Sequence, residues 1–211
     1  MNETGPFVIL FLFLAGFSIG ISGAMIPGPL TFFTVSGALR TGSKAGLKTM
    51  AGHIAVEFFL ILCLYLGLRE ILTFPPFLSA ISILGGAALM IMGIILFSGA
   101  SGMTLPDKKD LKDHDKGLIL GGMLFTITSP GFIIWWATIG VSTLSRAALS
   151  GAPGIIALIA GHWTADVAWY GSLSYGVDKG RAYMTDTVYR HTLRGSAVLL
   201  VLLGAAFILK R

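Results

Sequence analysis

The chain has 211 residues, 55% of them apolar and 12% charged, with a mean hydropathy of +0.83. A soluble domain carries about 25% charged residues, so this composition excludes a cytosolic globular enzyme, whose water-facing surface it could not cover. The net charge of +5 fits the Lys and Arg enrichment of cytoplasmic loops in membrane proteins, and no nucleic-acid partner is expected.

Uncharged stretches cover residues 4–39, 71–106 and 117–145, with further apolar segments between them. A hydrocarbon core about 30 Å thick is crossed by roughly 20 helical residues. The pattern predicts an all-α membrane protein with six spans, near 7–39, 49–68, 77–98, 117–145, 154–177 and 193–209.

The first span is too long for the h-region of a cleaved signal peptide and has no Lys or Arg before it, so it is expected to stay in the mature protein. It is interrupted by Pro27, Gly28 and Pro29. Proline removes a helix donor and glycine tolerates the unwound backbone that results. The second span carries His53 and Glu57, four residues apart and hence on one helical face, and also the single cysteine, Cys63. One cysteine provides neither a dithiol pair nor a thiolate metal site.

Residues 106–116, with four Asp and four Lys, read as a solvated linker after the third span. The fourth span is broken at Ser129, Pro130 and Gly131, matching the break in the first. His162 and Asp166 repeat the His-x-x-x-acid spacing in the fifth. The sixth has only 15 uncharged residues between Arg194 and Lys210, so either an arginine snorkels from its end or the helix is re-entrant.

Lys and Arg number eleven in loops 40–48, 99–116 and 178–194 and four elsewhere, which places those loops inside and both termini outside. Gly52, His53 and Glu57 recur as Gly161, His162 and Asp166 at an offset of 109, and Pro27-Gly28 recurs as Pro130-Gly131 at 103. Two three-span repeats are therefore expected, residues 1–98 and 117–211, joined by a cytoplasmic linker at 99–116. An odd number of spans per repeat inverts the second, the organisation of secondary transporters.

Unwound backbone at membrane depth must face protein or a wet cavity, so the two breaks mark a central site. Pro27, Gly28, Pro29, Thr31, Ser129, Pro130 and Gly131 are the expected substrate-binding residues, the half-helix N–H groups receiving a carboxylate. An ionisable group at the bilayer centre costs roughly 2.5–3.5 kcal/mol on insertion scales, so Glu57 and Asp166 should face the interior and mark a pathway. With His53 and His162 they are the expected proton-coupling residues; a static His–acid lock between helices is the structural alternative. For most of Trp135, Trp136, Trp163, Trp169, Tyr170 and Tyr175 an interfacial belt is expected, with the lining of a substrate cavity as the alternative. Gly16 and Gly20, and Gly117 and Gly121, have the small-xxx-small spacing of close helix packing.

The block Gly23-Ala24-Met25-Ile26-Pro27-Gly28-Pro29, the turn between Gly37 and Gly46, the Gly-His-x-x-x-acid helices and Ser129-Pro130-Gly131 followed by Trp135-Trp136 together resemble the LysE/RhtB amino-acid exporters, over nearly the whole chain. The resemblance implies a plasma-membrane exporter of amino acids or similar small zwitterions. It would be driven by a proton or sodium gradient, without a cofactor, with homo-oligomerisation left open. The expected mechanism is alternating access. The alternative is a divalent-metal transporter using the two histidines and two carboxylates, which also suit a zinc or manganese site.

Overall fold

The computed structural model describes residues 5–26, 28–67, 74–105 and 115–209, and every regular element among them is helical. In chain order these are α1 (Pro6–Ala24), α2 (Pro29–Thr41), α3 (Ala45–Tyr65), α4 (Pro75–Ala100), α5 (Asp115–Ile127), α6 (Pro130–Trp135), a π turn (Trp136–Gly140), α7 (Val141–Ala147), α8 (Gly151–Gly180) and α9 (Asp186–Leu209). Proline opens α1, α2, α4 and α6. At a first helical position its φ is already set, and the N–H it lacks would have no partner within the helix. Gly42, at φ 90°, turns the chain between α2 and α3 in a conformation that favours glycine.

Five helical stretches are long and apolar enough to cross a bilayer: Pro6–Ala24, Ala45–Tyr65, Pro75–Ala100, Gly131–Tyr183 and Asp186–Leu209. Their outward faces carry large apolar side chains such as Phe11, Phe59, Ile94 and Leu202, as a lipid-facing surface requires. The chain is a multi-pass membrane protein.

The predicted first span is divided into α1 and α2, and the predicted fourth into α5 and the helical run that begins at Pro130. Alone, α5 has 13 residues, about 20 Å of helix, and is too short to cross. The last helix is longer than its uncharged core: α9 has 24 residues, about 36 Å, enough for a full crossing. Its first turns hold Arg194, which donates to Ser101 Oγ at 2.7 Å and lies over the Phe97 ring. Of the predicted linker at 99–116, residues 106–114 lie outside the described residues.

Three helix pairs make up most of the packing: α1 with α8, α3 with α5, and α4 with α9. Glycines bring each pair to backbone contact, because a Cβ at the crossing would overlap the partner's carbonyl. Gly16 faces the Leu158 carbonyl and Gly161 that of Phe13; Gly52 faces Ile119 and Gly122 faces Thr49; Gly86 and Gly204 face each other. Residue numbers rise together along α1 and α8, where Gly16 meets Leu158 and Gly20 meets His162. They also rise together along α3 and α5, where Thr49 meets Gly122 and His53 meets Thr126, so both pairs are parallel. The pair α4 and α9 is antiparallel, Gly86 meeting Gly204 and Gly93 meeting Ala197. Of the predicted small-residue spacings, Gly16 and Gly20 both contact α8 and Gly121 holds the Phe33 ring, whereas Gly117 has open space where a Cβ would stand.

Candidate functional site

Helical spacing puts His53 and Glu57 on one face of α3, and His162 and Asp166 on one face of α8. These faces meet. His162 Nε2 lies 3.1 Å from Glu57 Oε1 and 3.5 Å from Asp166 Oδ2; His53 Nε2 lies 3.5 Å from Glu57 Oε1 and 3.7 Å from Asp166 Oδ2. The four atoms form a closed ring in which each nitrogen stands between two oxygens. All four side chains are buried, Glu57 completely.

The surrounding hydrogen bonds assign protons to the ring. Thr126 Oγ1 donates its one hydrogen to the Gly122 carbonyl at 2.7 Å, so at 2.9 Å from His53 it can only accept, and His53 Nδ1 carries a hydrogen. The atom of His53 left to gain or lose a proton is Nε2, which faces the two acids. Glu57 Oε1 accepts from Trp136 Nε1 at 2.9 Å and is hydrogen-bonded to His162 Nε2 at 3.1 Å. Asp166 Oδ2 and Glu57 Oε2 are buried with no hydrogen-bond partner. The edge between His53 Nε2 and Asp166 Oδ2 is the longest of the ring, and it ends on an unsatisfied oxygen.

Trp136 occupies the start of the π turn, and the missing side chain of Gly140 makes room for its ring. It is 3% exposed, so a place in an interfacial belt is corrected to a buried donor on Glu57. Trp135 and Tyr170 also face the interior and line the cavity described below, whereas Tyr175 stays exposed. Replacing Trp136 by Phe leaves a smaller aromatic ring and removes the N–H. Loss of a hydrogen bond to a charged group is worth about 1.5–3 kcal/mol, so the detergent-solubilised variant should show a lower thermal unfolding midpoint with its helical content unchanged.

The ring forms part of the wall of a cavity of about 390 Å³. Gly28, Pro29, Ser129 and Gly131 reach the same cavity from the two breaks. Pro27 lies outside the described residues, and Pro130 is the first residue of α6. Thr31 Oγ1 lies 3.4 Å from the Tyr170 hydroxyl and 3.5 Å from the Gly28 amide nitrogen.

The two breaks differ in chemistry. Ser129 caps the helix behind it, its Oγ accepting from Phe132 N at 3.4 Å. Gly28 precedes α2 with no side chain to do this, so the second and third amides of α2, those of Leu30 and Thr31, are left without an intrahelical acceptor. The start of α2 thus has no side-chain cap, whereas the start of α6 is capped by its own serine.

One ligand atom each from His53, Glu57 and Asp166 lies within 4.8 Å of the others, close enough for a metal ion. Thr126 and Phe125 line the cavity without having been singled out from the sequence; each is an ordinary residue of an apolar segment.

Broken helices around a cavity with a buried ring of ionisable groups, in a multi-pass membrane protein, are features that secondary transporters share. The model of the LysE type translocator family matches residues 21–211, and the chain belongs to that family. Membership does not favour the divalent-metal alternative. No curated protein and no solved structure gives a match to the chain.

Proposed function

We propose that the protein exports amino acids or similar small zwitterions across the plasma membrane by ion-coupled alternating access, with the ring of His53, Glu57, His162 and Asp166 as the coupling site. The observation that carries this reading is the unsatisfied Asp166 Oδ2 beside His53 Nε2, facing a cavity that also reaches the open end of α2. A buried carboxylate oxygen without a donor calls for a proton or a cation.

A substrate ammonium and a coupling proton would compete for that oxygen, and exchange of one for the other is antiport. The substrate carboxylate goes to the free amides of Leu30 and Thr31, beside the Thr31 and Tyr170 hydroxyls, where the helix dipole favours negative charge.

Two inverted repeats are part of the proposal. The first repeat contributes α1 with α2, α3 and α4, and the second contributes α5 with α6, α8 and α9. A two-fold exchange of the repeats carries the parallel pair α1 and α8 onto the parallel pair α5 and α3. It carries the antiparallel pair α4 and α9 onto itself. The observed pairings support this symmetry. So does the reciprocal contact role of Gly52 and Gly161, the two glycines aligned at the offset of 109. The basic loops 40–48, 99–116 and 178–194 support a cytoplasmic placement for those loops and both termini outside.

The test is flux of labelled amino acids in proteoliposomes with and without an imposed pH gradient. Saturable flux that the gradient accelerates is expected. Flux indifferent to both proton and sodium gradients would refute ion coupling.

A further inference from the structure

Resting on that transport reading, we infer that the substrate is a neutral amino acid with an apolar side chain of leucine, methionine or phenylalanine size. The geometry points to this class because the cavity divides into one polar pole and one hydrocarbon wall.

The polar pole holds the four ring residues, Gly28 and Pro29 at the start of α2, and Tyr170, whose hydroxyl lies 3.4 Å from that of Thr31. An α-amino group and an α-carboxylate use these up. The remaining wall is built from Leu30, Phe125, Phe132, Trp135, Leu203 and Phe207. Among the described lining residues there is no Lys, Arg, Asn or Gln. Of the hydroxyls outside the pole, that of Thr126 is held between His53 and the Gly122 carbonyl, and that of Ser129 caps α6.

A lysine side chain would bring a second ammonium. Both acids of the cavity belong to one ring, sharing the same two imidazole nitrogens within 3.7 Å, so they make a single anionic locus rather than two. A glutamate side chain would press a second carboxylate against rings and methyl groups, where the Trp135 indole N–H is the one side-chain donor of the wall. Burying a charge in such a wall is far more costly than burying a methylene. An added hydroxyl is rejected more mildly, by a factor of about 100 at most in an apolar pocket. The cavity lies near the small end of the usual range for ligand sites, about 300–1,000 Å³, which suits a single amino acid.

The experiment is counterflow in proteoliposomes with leucine, methionine, phenylalanine, threonine, lysine and glutamate, each labelled in turn, at zero gradient. Leucine, methionine or phenylalanine should run at least about 30-fold faster than lysine and glutamate, and roughly 10-fold faster than threonine. Leu203→Asn, which puts an amide into the wall, should shrink the leucine-to-threonine ratio by about fivefold. Lysine or glutamate carried as fast as leucine would overturn the inference while leaving the transport reading intact. No flux of any amino acid would overturn both.

Discussion

Asp166→Asn is expected to bring pH-gradient-driven flux down to the level of protein-free liposomes, while the protein stays monodisperse and helical. The asparagine amide fills the same space on α8 and can meet His53 Nε2, but it cannot take up and release a proton. If Asp166 holds the coupling proton, exchange of labelled for unlabelled substrate at zero gradient should survive better than gradient-driven accumulation, because exchange needs no net proton movement. Equal loss of both would assign Asp166 to the substrate ammonium. Unchanged gradient-driven flux would remove Asp166 from the mechanism altogether.

The second large effect is structural. At Gly52 a Cβ would overlap the backbone carbonyl of Ile119, and at Gly161 that of Phe13, and backbone in a packed helix pair has little room to give. Gly52→Ala and Gly161→Ala should each destabilise by about 3 kcal/mol or more, the upper end of overpacking effects. For a chain of this size that lowers the thermal midpoint by roughly 10 °C in detergent. Gly176, on the same helix as Gly161 but with open space around it, is the control. Gly176→Ala should be neutral or slightly stabilising, since alanine is the better helix former. Equal midpoints for all three variants would show that these close approaches do not hold the bundle together.

Much of this architecture is legible in the sequence because membrane depth makes some residues conspicuous. Acids in an apolar helix must face inward, and a histidine four residues earlier must share their face, so the meeting of His53, Glu57, His162 and Asp166 follows from spacing and repeat. The breaks were equally plain from Pro27-Gly28-Pro29 and Ser129-Pro130-Gly131. The Pro-Gly pattern marks both breaks alike; the difference between them comes from Ser129, a strong helix N-cap, where Gly28 has no side chain with which to cap.

Trp136 was not legible. Six aromatic residues cluster in the second half, and apolar patterning cannot separate the one turned onto Glu57 from those near an interface; the π turn that aims it has no sequence mark. The length of α9 was missed for a different reason. Counting uncharged residues stops at Arg194, whereas the helix begins at Asp186 and carries Arg194 against Ser101 and Phe97.

The ring of four has a mechanical consequence. Two of its members ride on α3, which glycine contacts fasten to α5, and the other two ride on α8, fastened in the same way to α1. The ring crosses the seam between these two pairs, and that seam is itself closed at one point by Gly46 of α3, which faces the Tyr170 carbonyl of α8. Any sliding or tilting along that seam pulls Glu57 away from His162 and Asp166 away from His53. It leaves buried polar atoms without their partners unless protons or a ligand move with them. On the transport reading proposed above, occupancy of the ring and the relative position of the two pairs would be thermodynamically linked, so that whatever biases one would bias the other by the same free energy.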